Sequence, residues 1–377
     1  MPQRRFLAPW HQPDLFEALA RGEAGSAGTA LDAEALAALR GKPAIYHCIS
    51  RVVDRRFVLG PAEKEQFVRY MRAYEAFGQL RVLAFSVMSN HFHLLLEVPS
   101  PPERRGADWS DEEFLHHLAS LYSMREVAKI RWELEHFRDL GHDSAAVALR
   151  ERFLRRMWDL SAFMKSLKQR FTRWFNWQHG RKGTLWEERF KSVLVESGHA
   201  ARVMAAYIDL NAVRAGMVED PKDYRWCSYG QAVAGNQRAR EGLQRVMFEG
   251  EAAGHGEGAD GRPHPEAVAV LQSWRTAARR YRQALFNALH RNTSREGEDV
   301  GQTGEGATRG GELSEAEAVG TRVRHFVDGL VIGSAAFVDR TFRWTRERFG
   351  ARRRDGARKI RGVATELRAM RDLAERT

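Results

Sequence analysis

Asn90-His91-Phe92-His93-Leu94-Leu95-Leu96-Glu97-Val98 places two histidines two residues apart within an apolar run. Side chains two positions apart in a β-strand point to the same face of the sheet. We therefore expect His91, His93, Leu95 and Glu97 on one face and Phe92, Leu94, Leu96 and Val98 on the other. Two adjacent imidazoles can bind one divalent cation, and the apolar face can pack against helices. The pair alone is equally compatible with ordinary histidines on a sheet.

The flanking sequence predicts an alternation of strands and helices around this segment. Ile45 to Val53, Leu80 to Met88 and Phe190 to Val195 are rich in β-branched and aromatic residues, as strands are. A helical pattern follows Pro61 and ends near Gly78, and a second, basic and amphipathic, covers 158–178. The order β-α-β-β-α-β predicts an α+β fold, namely a ferredoxin-like domain with a four-stranded antiparallel sheet.

Composition divides the rest of the chain. We expect an irregular N-terminal arm at 1–40 with a short helix from Asp32 to Arg40, and a compact domain at 41–230. That domain carries a charged helical insertion at 103–156. Within residues 231–320 we predict a helix between flexible linkers, because 249–265 and 294–320 contain few large apolar residues. We expect residues 321–377 to form a basic, partly disordered C-terminal extension.

The charge of the chain points to a polyanionic partner. The formal net charge is +11 and the isoelectric point is near 9.9, values that indicate either nucleic acid or an anionic membrane as the partner. Because the chain has only two cysteines, neither a disulfide framework nor a cysteine zinc site is implied. No signal peptide and no membrane-spanning stretch are predicted, so we expect a cytoplasmic protein without membrane partners.

A second group of polar residues lies in the helix predicted from His199 to Arg214. Tyr207 and Asn211 are separated by four residues, which places them on one helical face, one turn apart. A carboxamide oxygen suits a hard divalent cation, and a phenol nearby could attack a group that the cation polarises. Packing and capping near a helix end would explain the same two residues.

Together these segments resemble the REP-associated tyrosine transposases, a family of single-tyrosine HUH transposases of the insertion-sequence type. The resemblance rests on three segments: Val82 to Val98, Gly183-Thr184-Leu185-Trp186-Glu187-Glu188-Arg189-Phe190-Lys191-Ser192, and Tyr207 to Val218 with its Val-Arg-Ala-Gly sequence. It covers roughly residues 43–230. The chain departs from the family pattern at Ala212, where members usually have proline.

The resemblance implies a role for each matched residue. His91, His93 and Asn211 fall on the metal ligands, and Tyr207 falls on the nucleophile. The implied reaction cleaves and rejoins single-stranded or hairpin DNA through a 5′-phosphotyrosyl intermediate, with Mg²⁺ or Mn²⁺ as cofactor. The resemblance also implies that a homodimer can form.

A basic and aromatic segment is the predicted DNA-binding region. Residues 161–191 carry eight lysines and arginines against two glutamates. Cations can follow the phosphates, and exposed aromatic rings can stack unpaired bases. Helical spacing assigns Phe163, Leu167, Phe171 and Phe175 mainly to the core. The residues predicted to contact DNA are Lys168, Arg173, Arg181, Lys182, Trp186 and Arg189.

Two other functions fit the same sequence. A non-catalytic nucleic-acid-binding protein derived from such a transposase would retain the basic surface without a productive site. A metal-dependent phosphodiester hydrolase would use the same histidines and form no protein–DNA adduct.

Overall fold

The computed structural model describes residues 6–12, 41–102, 106, 108–248, 273–296, 313–314, 319, 325–350, 352–360 and 363–371. Across these residues the fold is mixed α and β, with a seven-stranded, mostly antiparallel sheet and twelve α-helices. The predicted linker at 249–265, most of the one at 294–320 and the predicted helix from Asp32 to Arg40 lie outside the described residues.

The strands are β1 (Ala44–Arg51), β2 (Arg81–Val87), β3 (His91–Val98), β4 (Lys191–Val195), β5 (Leu313–Ser314), β6 (Val331–Gly333), β7 (Arg358–Lys359), β8 (Val363–Ala364) and β9 (Arg368–Met370). The main sheet has the order β2-β3-β1-β4-β6-β9-β7, while β5 pairs with β8 in a separate sheet. Neighbouring strands among β1 to β4 are antiparallel, and β6 joins β4 in parallel.

The helices are α1 (Pro61–Gly78), α2 (Asp111–Leu118), α3 (Met124–Asp139), α4 (Asp143–Leu154), α5 (Leu160–Gln178), α6 (His199–Asp209), α7 (Asn211–Arg214), α8 (Ser228–Val233), α9 (Gln237–Phe248), α10 (Trp274–Glu296), α11 (His325–Asp328) and α12 (Ala335–Trp344). Their ends carry the expected signals. Pro61 begins α1, and the side chain of Asp159 accepts a hydrogen bond from the Ala162 amide at the start of α5.

The prediction of a four-stranded sheet is wrong, because β6, β9 and β7 extend the sheet beyond β4. All three come from the region predicted to be a basic extension. Leu194 and Val195 of β4 lie opposite Val331 and Ile332 of β6, so the edge of β4 is paired rather than exposed. Each added strand has only two or three residues.

The predicted alternation of β3 is confirmed by the two hydrophobic clusters that lie on opposite faces of the sheet. Phe92, Leu94, Leu96 and Val98 pack with α1 and α5, and the predicted core residues of α5 are buried among them. Leu95 packs on the other face, with α6, α8, α9 and α10. The face that carries His93 is therefore covered by helices as well.

Two predicted peripheral regions have structure in their described parts. Three helices, α2 to α4, lie within 103–156 and form a small cluster of their own against Phe77 of α1. In the N-terminal arm, Phe6 and Trp10 are buried, and the Trp10 ring contacts Phe337 and Trp344 of α12.

The packing of α9 on β2 gives a stability test. A Cβ atom on Gly242 would lie 2.6 Å from the Val82 carbonyl oxygen and 2.7 Å from that of Leu83. We expect Gly242→Ala to destabilise the protein by about 1–3 kcal/mol in urea unfolding, because α9 must move off the strand. An unpacked helix would instead gain about 1 kcal/mol from alanine. Gly350→Ala, with no atom within 4 Å of its Cβ, is the control and should be neutral.

Candidate functional site

The β2–β3 hairpin fixes the position of His91. The Met88 amide donates to the His91 carbonyl at 2.8 Å, closing the Ser89–Asn90 turn. The His91 imidazole Nδ1 lies 2.6 Å from Asn90 Oδ1. An amide oxygen only accepts, so Nδ1 donates, and the lone pair of His91 lies on Nε2. The ring centroids of His91 and His93 are 5.1 Å apart, as expected for neighbours on one strand face.

His93 is buried behind His91 and contacts a third histidine. Its Nδ1 lies 2.8 Å from Nε2 of His47, on β1, and Nδ1 of His47 lies 2.7 Å from the Phe326 carbonyl oxygen. Burial lowers the pKa of His47 to about 4. Burial, followed by the neighbouring His47 and His91, holds the pKa of His93 well below its usual value. Both imidazoles are therefore neutral at pH 7, the form in which histidine binds metal ions.

Tyr207 of α6 lies against His93 and His47. Its ring centroid is 6.2 Å from that of His93 and 6.4 Å from that of His47, with the rings nearly perpendicular in both contacts. Phe326 covers another side of the phenol ring at 4.9 Å. The structure thus brings Tyr207 and His93 together, and the tyrosine is 2% exposed.

Arg214 lies over the face of Tyr207. Its guanidinium carbon is 4.1 Å from the ring centroid, and its Nη atoms donate to the carbonyls of Tyr207 and Val319, each at 2.7 Å. Burial lowers the pKa of Arg214 to about 10, so the side chain stays charged near neutral pH. A buried cation beside a phenol stabilises negative charge that develops on its oxygen.

Asn211 begins the short helix α7, after a break at Leu210. The predicted helix from His199 to Arg214 is therefore two helices, and the break lies between Tyr207 and Asn211. The Asn211 amide nitrogen is buried and has no hydrogen-bond partner among the described residues. An unpaired N–H donor suits a site that an acceptor such as a phosphate oxygen completes, whereas a cation would bind the amide oxygen of Asn211.

The donor types present, two imidazoles and an amide oxygen, are ones that divalent cations accept. Both histidines carry their lone pair on Nε2 when Nδ1 donates, and Asn211 offers an amide. Within the described part of the chain, no group of three or more His, Cys, Asp or Glu side chains could hold a metal ion. A cation bound at His91 and His93 would therefore need the amide, water or substrate oxygen as further ligands.

Glu97, on the histidine face of β3, is engaged elsewhere. Its carboxylate forms ion pairs with Arg81 and Arg245, both at 2.9 Å, and the side chain is 5% exposed. Two arginines bind it to β2 and α9, so its contacts explain its position without a metal.

A basic groove runs beside α5. It has a volume of about 980 Å³, and four of the predicted DNA-binding residues line it: Lys168, Arg173, Trp186 and Arg189. Lys165 lines it as well. Arg181 and Lys182 lie in the loop after α5, where Lys182 is exposed and Arg181 stacks on Phe175.

Two groove residues also hold the loop before β4. Lys168 Nζ donates to the Glu188 carbonyl at 2.8 Å, and the Trp186 indole donates to the Lys168 carbonyl. Trp186 is 6% exposed and packs on Phe67 and Phe92. Trp177, near the end of α5, is 80% exposed.

Sequence reasoning missed His47, Arg214 and the loop after β1. His47 is a lone histidine in an apolar strand, and its position beside His93 follows only from the pairing of β1 with β3. In the loop, Asp54 and Arg55 have positive φ angles of 57° and 55°, and Phe57 is 82% exposed. The Arg55 carbonyl accepts a hydrogen bond from Asn90, so this loop adjoins the histidine hairpin.

No protein-family model matches this sequence, and no curated protein matches it. Among solved structures, the chain is similar to one described as a REP-associated tyrosine transposase bound to a REP hairpin. The match covers 51% of this chain and 80% of that chain, with 15% identity and a TM-score of 0.30. A likeness this distant does not establish a family.

Proposed function

We propose that this protein cleaves and rejoins single-stranded or hairpin DNA through a covalent link to Tyr207, with Mg²⁺ or Mn²⁺ as cofactor. The observation that carries the proposal is the contact of Tyr207 with His93, 6.2 Å between ring centroids. A nucleophile from one element and a metal-ligating imidazole from another thus share one buried site. The sequence resemblance assigns these two residues the same roles.

The ferredoxin-like arrangement is part of the proposal. The order β2-β3-β1-β4 with antiparallel neighbours, and the packing of α1 and α5 on one face, agree with a β-α-β-β-α-β domain. In this interpretation β6, β9 and β7 are additions to its β4 edge.

The chemical step conserves the number of phosphodiester bonds. The Tyr207 oxygen attacks phosphorus and forms a P–O bond, while the bond from phosphorus to the 3′-oxygen breaks. The phenol proton is lost, and the leaving 3′-oxygen gains a proton to become a hydroxyl. Attack by the 3′-hydroxyl of another strand reverses these changes and releases Tyr207. Joining therefore requires no nucleotide cofactor.

The residues around Tyr207 have separate tasks in this proposal. His91 and His93, with Asn211, would hold the divalent cation, which when bound would polarise the scissile phosphate and neutralise its charge. Arg214 stabilises the phenolate through its contact with the ring. Phe326 and His47 exclude water from the phenol and hold its ring in place.

The DNA path must connect two faces of the sheet. The groove lies beside α5, on the face that carries Phe92, whereas His93 and Tyr207 lie on the other face. Between these faces, the end of β1 and the residues after it are joined to the loop before β4. The Val53 amide donates to the Leu185 carbonyl, and the Glu187 amide donates to the Arg51 carbonyl. We assign the DNA strand to a path over these joined segments, past the exposed Arg55, Arg56 and Phe57.

One observation favours the non-catalytic alternative. Tyr207 and His93 are each 2% exposed, so a phosphate reaches them only after the covering side chains move. A protein that binds DNA at the groove without such movement would have no activity.

The test is incubation of the full chain with a 5′-labelled and a 3′-labelled single-stranded hairpin and Mn²⁺, followed by a denaturing gel. We expect the 3′-labelled fragment to migrate with the protein, because the 5′ end becomes attached to it. Cleavage without an adduct would favour the hydrolase. Binding without cleavage would favour the non-catalytic protein.

The groove gives a separate prediction for DNA binding. Replacing both Lys165 and Arg173 with glutamine removes two exposed cations from its wall. We expect weaker binding to a single strand, and a plot of log K against log salt that is less steep by about 1.4, or about 0.7 per lost phosphate contact. Fluorescence anisotropy over a salt series measures both.

Lys129→Gln is the matched control, because Lys129 is exposed on α3 and does not line the groove. It should leave the slope unchanged. An unchanged slope in the double variant would exclude the groove as a phosphate-binding surface.

A further inference from the structure

His47 makes two hydrogen bonds that together determine the protonation of a neighbouring histidine. It is 1% exposed and lies on β1, between the Phe326 carbonyl and the His93 imidazole. The distance from Nδ1 to the carbonyl oxygen is 2.7 Å, and that from Nε2 to Nδ1 of His93 is 2.8 Å. Both are normal hydrogen-bond lengths.

The direction of each hydrogen bond follows from the acceptor at one end. A carbonyl oxygen has no proton to give, so Nδ1 of His47 is the donor. A neutral imidazole that donates at Nδ1 accepts at Nε2, and Nδ1 of His93 must then donate to it. His93 is left with an unprotonated Nε2, the atom that can bind a cation.

We propose that His47 is a positioning residue that fixes His93 in the tautomer whose Nε2 binds the divalent cation, and that the Phe326 carbonyl fixes His47. This inference rests on the proposed function, because it assigns His93 as a ligand. Ligating histidines commonly donate their second nitrogen to a carboxylate or a carbonyl. Here an imidazole stands between the ligand and the carbonyl.

The ring contacts show that His47 also sets the orientation of His93. The two imidazole rings lie edge to edge in nearly one plane, with centroids 5.1 Å apart and an interplanar angle of 8°, as the hydrogen bond between their nitrogens requires. Tyr207 packs its ring against both of them. His47 therefore fixes the ring plane of the proposed ligand His93, and its own ring packs against one side of Tyr207.

The same contacts give the C-terminal region a role. Phe326 lies in α11, 279 residues after His47. Its carbonyl orients His47 and its ring covers Tyr207. The segment that was predicted to be a basic extension thus supplies a group on which the metal ligand depends.

Two substitutions separate the hydrogen bonds from simple packing. In His47→Gln the side-chain amide can donate to the Phe326 carbonyl and accept from His93, so both hydrogen bonds are preserved. In His47→Phe the ring remains but both hydrogen bonds are lost. Circular dichroism of each variant establishes that it folds.

The first measurement is the ¹⁵N spectrum of the imidazoles in the metal-free full chain at neutral pH. We expect the wild-type protein to hold His93 with its proton on Nδ1, and His47→Phe to give a mixture of tautomers. A wild-type spectrum with the proton on Nε2 would overturn the proposal even if both variants fail to fold.

The second measurement is Mn²⁺ affinity by calorimetry. His47→Phe should bind about 10- to 100-fold more weakly, the usual loss for such a partner, and His47→Gln should stay within a few-fold of wild type. If wild type binds Mn²⁺, His91→Ala does not, and His47→Phe matches wild type, the positioning role is wrong. If wild type itself does not bind Mn²⁺, the metal-dependent function fails instead.

Discussion

Replacing Tyr207 with phenylalanine should abolish the covalent adduct and lower DNA cleavage by at least roughly a thousandfold, because it removes the nucleophile. The change deletes one oxygen atom and keeps the ring that contacts His93, His47 and Phe326. The fold and the affinity for Mn²⁺ should therefore be retained. A denaturing gel of the protein with labelled DNA measures the adduct.

Tyr229→Phe is the matched control. Tyr229 is another buried tyrosine on the same side of the sheet, and its ring contacts Tyr281. This variant should form the adduct at the wild-type rate. An adduct that persists in Tyr207→Phe would identify a different nucleophile and refute the proposed role of Tyr207.

The second large effect is expected at the histidines of β3. His93→Ala should weaken Mn²⁺ binding by more than roughly a hundredfold, beyond the loss typical of an outer-shell partner, and cleavage should fall with it. The variant loses the Nε2 donor and also leaves His47 without its partner. A chelator such as EDTA should stop the wild-type reaction, and added Mn²⁺ should restore it.

His136→Ala provides the comparison, since His136 stacks on the exposed Trp132 of α3. We expect it to bind Mn²⁺ and cleave DNA as wild type does. Cleavage that continues in EDTA, or that survives His93→Ala, would exclude a metal ion bound at His91 and His93 as the cofactor of the reaction.

The features predicted correctly from the sequence are those set by local periodicity. The alternation in β3 assigns Phe92 and Leu95 to opposite faces because successive side chains in a strand point in opposite directions. The helical spacing of Phe163, Leu167, Phe171 and Phe175 identifies the buried stripe of α5 for the same kind of reason.

The three added strands could not be predicted in this way. β6, β7 and β9 have two or three residues each, too few for a period of two to be visible. Their pairing is also distant in sequence, as with Leu194 and Val331. A charged tail with short apolar pairs has the composition of an extension, and only its contacts with β4 make it part of the sheet.

The candidate site shows the same division between local and distant information. The spacing of His91 and His93, and of Tyr207 and Asn211, makes these residues candidates, and the family resemblance supplies their predicted roles. The position of His47 beside His93 depends on a strand pairing, and its orientation depends on the carbonyl of Phe326. The residues next to His47 in the sequence indicate neither. Trp186 is predicted to contact DNA because it lies among cations; its ring packs on Phe67 and Phe92 while the residue also lines the basic groove, so this contact stays a prediction.

No helix among the described residues is long and apolar enough to cross a bilayer. The homodimer, the identity of the cation and the contacts with DNA stay predictions.

The measurement that tests the central claim most directly is mass spectrometry of the protein–DNA adduct. The full chain is incubated with a single-stranded hairpin and Mn²⁺, denatured, and digested with a protease and a nuclease. We predict that the peptide containing Tyr207 carries a nucleotide through a 5′-phosphate on the phenol oxygen. A nucleotide on any other residue, or cleaved DNA with no modified peptide, would contradict the proposal.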